Sequence, residues 1–277
     1  MPWKPVAQRS RGFSRDRCGR RQVAARLSSI VQSLSLSESA NTLLAMFVPG
    51  EVVSYLEMCR EEGVNLQRGM NFRIRGQKSV VLMSVRKGAP YADRVEENGH
   101  VLVYEGHDVP LDRPGLDPKA VDQPLVTPAG RPTQNGLFMR AADEYKAGRS
   151  PAEQVHVYEK IRTGIWVYNG LFRLVDAWVE DTGTRKACKF RLELSQEQEP
   201  ADLPPDTEDL AHTRLIPTDV KLAVWKRDKG RCVECGSSDN LHFDHIVPYS
   251  RGGSSLVAEN IQLLCARHNL VKSAHIV

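Results

Sequence analysis

Read as a pattern of apolar and polar positions, the chain alternates like a set of strands through its middle and changes character near its end. Strand-like runs rich in β-branched and aromatic residues occupy 71–74, 79–85, 99–104, 154–158, 166–168, 171–175 and 188–194, several with Gly or Asn within two residues of an end. Helical spacing is rarer and predicts helices over 52–62 and 137–147. After a gap, 217–229 places Val220, Leu222, Ala223 and Trp225 among lysines and arginines, which predicts a short amphipathic helix starting near Thr218 or Asp219. The last segment predicts a strand over 241–248, a loop around Arg251, Gly252 and Gly253, a second strand over 261–264, and a helix from Ala266 onward. The fold class expected is α+β: a β-rich curved sheet or barrel, followed by a hairpin and helix.

The boundaries follow from composition. Residues 195–212 are acidic and Pro-bearing with no apolar period, and read as a solvated linker between a middle domain at 48–194 and a C-terminal domain at 213–277. Residues 1–47 carry Lys4, Arg9, Arg11, Arg15, Arg17, Arg20, Arg21 and Arg26 against one acid, Asp16, up to Arg26. That segment reads as a basic arm lying on phosphates or as a solvated tail, and its Arg- and Ser-rich composition also resembles a transit peptide. A length of 277 residues suits two domains, and no apolar run is long enough to span a membrane. The formal charge of +4 permits binding to nucleic acid without requiring it.

The cysteines add chemistry. Cys232 and Cys235 are two residues apart around a turn, and Cys265 and His268 repeat a ligand spacing further on. Two such pairs suit tetrahedral Zn²⁺ with no open position, and unpaired cysteines elsewhere point to a reducing compartment, here the cytoplasm. Between the pairs stand Asp244, His245 and Asn260, and Asn269 follows the last ligand. Asp244 and His245 are neighbours on a predicted strand and would face opposite ways unless the strand bends.

This ordered set resembles the HNH (ββα-metal) nucleases, from about Ile216 to the C-terminus. The resemblance implies that His245 is the general base, that Asp244 and Asn269 hold a catalytic divalent ion, and that Asn260 ties the loop between the strands. Relatives ending Cys-Asn carry Cys where His268 stands, so His268 either completes the zinc site, the favoured reading, or serves the catalytic ion. Hydrolysis of a phosphodiester needs an imidazole that titrates near neutral pH and a cation that offsets growing charge. Carboxylate and amide oxygens are hard ligands and suit Mg²⁺ or Mn²⁺. Arg251 and Lys272 are candidate phosphate contacts.

The middle segment carries a second resemblance. Ser79 to Leu82, Tyr91 to Gly99 with Asp93, Val103 to Gly106, Tyr168 to Trp178 and Phe190 to Leu192 are similar, in order, to pieces of the SRA (SET- and RING-associated) domain. That family reads methylated cytosine by flipping the base. The resemblance implies that Tyr91 and Tyr104 sandwich the ring, that Asp93 or Glu105 accepts from the exocyclic amine, and that Gln134 and Asn135 lie on a loop entering the groove. The family's Tyr-Asp-Gly is Tyr168, Asn169, Gly170 here. Together these features predict a modification-dependent, type IV-like restriction endonuclease of a prokaryote, acting on double-stranded DNA with 5-methylcytosine or 5-hydroxymethylcytosine. Because one site cuts one strand, a homodimer is expected. A nuclease for unmodified DNA, a catalytically silent reader, and a middle domain that binds protein with DNA contacts only in the C-terminal module are the alternatives.

Overall fold

A computed structural model describes residues 47–110, 115–195, 215–248 and 251–274. The basic arm, nearly all of the acidic linker and the start of the loop after Pro248 lie outside the described residues. The middle of the chain builds one mixed eight-stranded sheet from β1 (Val52–Val53), β2 (Met70–Asn71), β3 (Ser79–Met83), β4 (Arg94–Glu96), β5 (Val101–Glu105), β6 (Glu153–Arg162), β7 (Ile165–Asp181) and β8 (Lys186–Leu194). The order is β2-β3-β6-β7-β8-β5-β4, with β1 also pairing β7. Only β3 and β6 run parallel, and α2 (Gln134–Lys146) lies in the long connection leading to β6, as a parallel pair requires. The face under α2 closes a core around Phe138, Phe172, Phe190, Leu102 and Val157.

Three expectations need correction. The helix placed over 52–62 starts later, as α1 (Tyr55–Glu61), because Ser54 and Glu57 form a capping box; Val52 and Val53 pair instead with Val167 and Trp166. Only Met70 and Asn71 of the run before Ile74 are in a strand, since Arg73 turns into the left-handed region at φ 43°. The runs at 166–168 and 171–175 are one 17-residue strand, β7. Tyr168 pairs Tyr158 and Gly170 pairs Val157, so Asn169 is the extra residue of a β-bulge, a place where pairing is locally broken and the strand bends. Gly170, at φ 115°, supplies the backbone conformation that the bulge needs.

The C-terminal segment follows the predicted order: α3 (Thr218–Arg227), β9 (Leu241–His245), β10 (Ile261–Cys265) and α4 (Ala266–Ala274). The hairpin pairs Ile261 with His245 and Cys265 with Leu241. Its core, Val220, Val224, Leu241, Phe243, Ile261 and Leu263, also takes in Ile161 and Val167 from β6 and β7. Gly50 seals the junction. Its N–H donates to the Tyr168 carbonyl, its carbonyl accepts from Phe243 N–H, and a Cβ there would sit 2.9 Å from the Phe243 oxygen. Glu51 bridges His242 beside it.

A buried polar group spans the same junction. Lys221 Nζ on α3 donates to Glu159 Oε2 of β6 and to Asn169 Oδ1 of β7, each at 2.7 Å. Asn169 Nδ2 donates to Glu159 at 3.0 Å, and Thr218 Oγ1 donates to the other oxygen of that carboxylate. Burial opposes the Glu159 charge, but Lys221, Thr218 and Asn169 together hold its carboxyl below the usual range.

Candidate functional site: a cleft in the sheet and a hairpin beside a cysteine and histidine cluster

Two places gather chemistry. The first is a cleft of about 440 Å³ lined by 84–86, 88–93, Glu105, Lys119, Thr182, Thr184 and Arg185. Strand β5 delivers two neighbours to opposite sides of the sheet. Glu105 faces the cleft, while Tyr104 is 3 % exposed and packs in the core, its hydroxyl 3.5 Å from His107 Nε2. The Tyr91 ring has His107 stacked at 6.0 Å and 26°, and the Lys119 ammonium 4.0 Å from its centroid. Burial lowers the His107 imidazole to about 4, so it is neutral at pH 7.

Asp93 and Glu105 differ in what they have left to offer. Both Glu105 oxygens are engaged, by Arg185 at 2.7 Å, Lys189 at 2.7 Å and the Ala92 N–H at 3.1 Å. Burial works against its charge, yet these partners hold its carboxyl below the ordinary value. Glu105 thus organises the wall instead of presenting an acceptor. Asp93 accepts only backbone N–H groups, from Ser84 and Glu105, both at 3.0 Å. Each of its oxygens keeps a second lone pair. Burial lifts its carboxyl to about 6. Arg185, which pattern reading passed over in a Thr- and Gly-rich turn, links Glu105, Asp108 and the Pro118 carbonyl and sets the shape of this wall.

Gln134 and Asn135 are not on a loop tip. Thr133 caps α2, and both amides lie in its first turn. Gln134 Oε1 accepts from Phe72 N–H, and Asn135 bonds both backbone groups of His107 while 1 % exposed. Gln134 Oε1 and the Asn135 amide thus tie α2 to the backbone at Phe72 and His107.

The second place is the hairpin with α4. Cys232, Cys235, Cys265 and His268 bring their ligand atoms within 4.8 Å of one another. Cys232 Sγ and Cys265 Sγ lie 3.3 and 3.5 Å from His268 Nδ1, and Cys235 Sγ lies 3.8 Å from Cys265 Sγ. The edge of a tetrahedron with Zn–S bonds of ~2.3 Å is about 3.8 Å, so three thiolates and one imidazole in this arrangement fit a closed zinc site. His268 sides with the cysteines.

Beyond that cluster, β9 presents Asp244 to α4 and His245 to the loop. His245 Nε2 meets Ser255 Oγ at 2.7 Å. Asn260 Oδ1 accepts from Val247 N–H at 2.8 Å, while its Nδ2 donates to the Val247 and Ser254 carbonyls. Gly253 is needed where this loop closes, since a Cβ would sit 1.9 Å from the Val247 oxygen. Asn269 lies one turn before Lys272 on α4, so the two share the face from which Lys272 reaches Asp244.

Residues 232–274 match the HNH endonuclease family.

Among solved structures, the chain is similar to the SRA domain of SUVH5 in complex with hemi-methylated CG DNA, at 22 % identity and a TM-score of 0.40, over 58 % of this chain and 94 % of that one. The same domain with methylated CHH DNA matches at 21 % and 0.39, over 55 % and 91 %. Arabidopsis thaliana SUVH6 in complex with SAM matches at 18 % and 0.39, over 63 % and 28 %. No curated protein matches the chain.

Within the HNH segment, sequence reasoning missed Ser255. It is 1 % exposed and fixes the ring of His245 through one nitrogen. The signal was faint, one serine in a Ser- and Gly-rich loop. Arg251 is exposed beside this loop, whereas Lys272 is engaged with Asp244 and with the His245 carbonyl. Among the described residues no helix is long and apolar enough to cross a membrane.

Proposed function

We propose that this protein is a modification-dependent endonuclease, with cytosine read at the sheet cleft and a phosphodiester hydrolysed at the HNH hairpin. The observation that carries the reading is the hairpin itself, where Asp244, His245 and Asn269 stand on elements pinned by the cysteine and histidine cluster. His245 is the base that takes a proton from the attacking water, and Ser255 holds its ring in place. Asp244 and Asn269 would hold a Mg²⁺ or Mn²⁺ ion, which supplies charge neutralisation at the phosphate. Cys232, Cys235, Cys265 and His268 would hold Zn²⁺, and that closed site would keep β10 and α4 in register with the turn after α3. Asn260 fixes the intervening loop, and Arg251 is the phosphate contact we favour.

At the cleft, Tyr91 is the flat face for an extruded base, and Asp93 accepts from the exocyclic amine of cytosine. The reading of methylcytosine is supported by the order of the SRA-like motifs and by this acceptor at the cleft wall. A methyl group in an apolar pocket discriminates by about 10–200-fold. The same pocket would take 5-hydroxymethylcytosine. The protein would act on duplex DNA as a homodimer in a prokaryotic cytoplasm, each chain cutting one strand. The deciding experiment compares cutting of one plasmid in methylated and unmethylated form with Mg²⁺ and with Mn²⁺. Faster cutting of the methylated copy is expected, and equal rates would remove the reader role while leaving the nuclease.

A further inference from the structure

The ammonium of Lys272 is held by two oxygens at once, Asp244 Oδ2 and the carbonyl of His245. Both side chains of the ion pair are 24 % exposed, so the contact is open enough to break yet sheltered enough to persist. A lysine ammonium is a compact point charge that offers three donors and no acceptor. It is therefore drawn to the same hard oxygens that a small divalent cation prefers. The geometry is local: α4 places Asn269 and Lys272 one turn apart on one face, and β9 presents Asp244 to that face. A carboxylate serving an ion from Asn269's side must give up, or share, the ammonium from Lys272.

We propose that Lys272 is an internal competitor for the catalytic cation: its ammonium neutralises Asp244 when no divalent ion is bound and is displaced when one binds. The proposal rests on the nuclease reading of Asp244. It assigns Lys272 a positioning role, since it acts on the carboxylate and not on the reacting atoms. A lysine that only tethered α4 to β9 would have no reason to respond to metal. Displacement also frees a positive charge beside the phosphate site at the moment the ion arrives.

The test is Mn²⁺ binding to the zinc-loaded full chain, without DNA, by calorimetry. Lys272→Met should bind Mn²⁺ at least about threefold more tightly than the unsubstituted chain, the size expected when a partly exposed ion pair no longer has to be broken. Asp244→Ala should abolish the binding. Unchanged or weaker binding by Lys272→Met, with Asp244→Ala silent, overturns the competitor role and leaves the nuclease site intact. Mn²⁺ binding that survives Asp244→Ala removes the ion from Asp244 altogether and overturns both. A second measurement avoids substitution: amine acylation of the unsubstituted chain, read by peptide mass spectrometry. Lys272 should label faster when Mn²⁺ is present, and labelling indifferent to Mn²⁺ overturns the proposal.

Discussion

Lys221 and Glu159 form an ion pair at 2.7 Å with 1 % and 2 % of their side chains exposed, and they join the helix before the cysteines to the long sheet. A buried pair of this kind is weak as a source of stability but severe when broken, because the remaining charge has no partner. Asn169 completes it by donating to Glu159 and accepting from Lys221, which an aspartate could not do.

Lys221→Met should therefore destabilise the chain by about 3–5 kcal/mol. The double substitution with Glu159→Leu should recover most of that. Denaturant unfolding of the two variants checks it, and equal losses would mean that the pair is not acting as a unit.

Zinc analysis of the purified chain should give one ion per chain. Cys232→Ser and Cys265→Ser should each lower that value, and a chelator should release Phe243 and Leu263 from their shared core. Hydrogen exchange across β9 and β10 reports the release, because structural zinc energy is folding energy in small modules.

His245→Ala should lower cleavage by about 10²–10⁴-fold, the usual contribution of a general base, with DNA binding retained in a shift assay. Ser255→Ala should cost about tenfold, the scale of one lost hydrogen bond, and should move the pH profile of cleavage. A Ser255 that served packing alone would change stability and leave that profile in place.

Asp93 gives a pH signature. Its carboxyl is lifted to about 6 from an ordinary 3.8, first by burial. The folded chain therefore holds a proton between roughly pH 4 and 6 that the unfolded chain releases. The contribution of this group to stability is largest below pH 4 and is lost as pH rises through 6. Asp93→Asn should remove that slope, whatever constant offset it adds. The ionised form is the stronger acceptor from a cytosine amine, so binding of a methylcytosine duplex should weaken from pH 7.5 to 5.5. The Asp93→Asn chain should show no such decline.

The sequence made the hairpin and its cysteine and histidine cluster legible because both are local. Two ligand pairs, an Asp-His strand and a following helix are each readable within a few residues. The cleft was less legible. Strand β5 is buried at all five positions, so alternation does not say which of Tyr104 and Glu105 faces the core. The resemblance places Gln134 and Asn135 on a loop, but the side chain of Thr133 accepts from Gly136 N–H and starts a helix. Arg185, Ser255 and Asn169 act through partners far along the chain or through a bulge, and neither distance nor bulge leaves a period to read.

Strand β7 runs through both places. Its first residues, Ile165 and Val167, pack with Phe243 and Leu263, and its last, Asp181, precedes Thr182 in the cleft wall. From Val167 to Asp181 its contour is roughly 45 Å at ~3.3 Å per residue, shortened by its bulges. That contour is an upper bound on the separation of the two places, and a helical turn of duplex, about 34–36 Å, fits within it. A base seated against Tyr91 would then be severed from a neighbouring stretch and not at its own phosphate. Recognition would constrain only the modified letter, and the broken ends would carry whatever sequence happens to flank it.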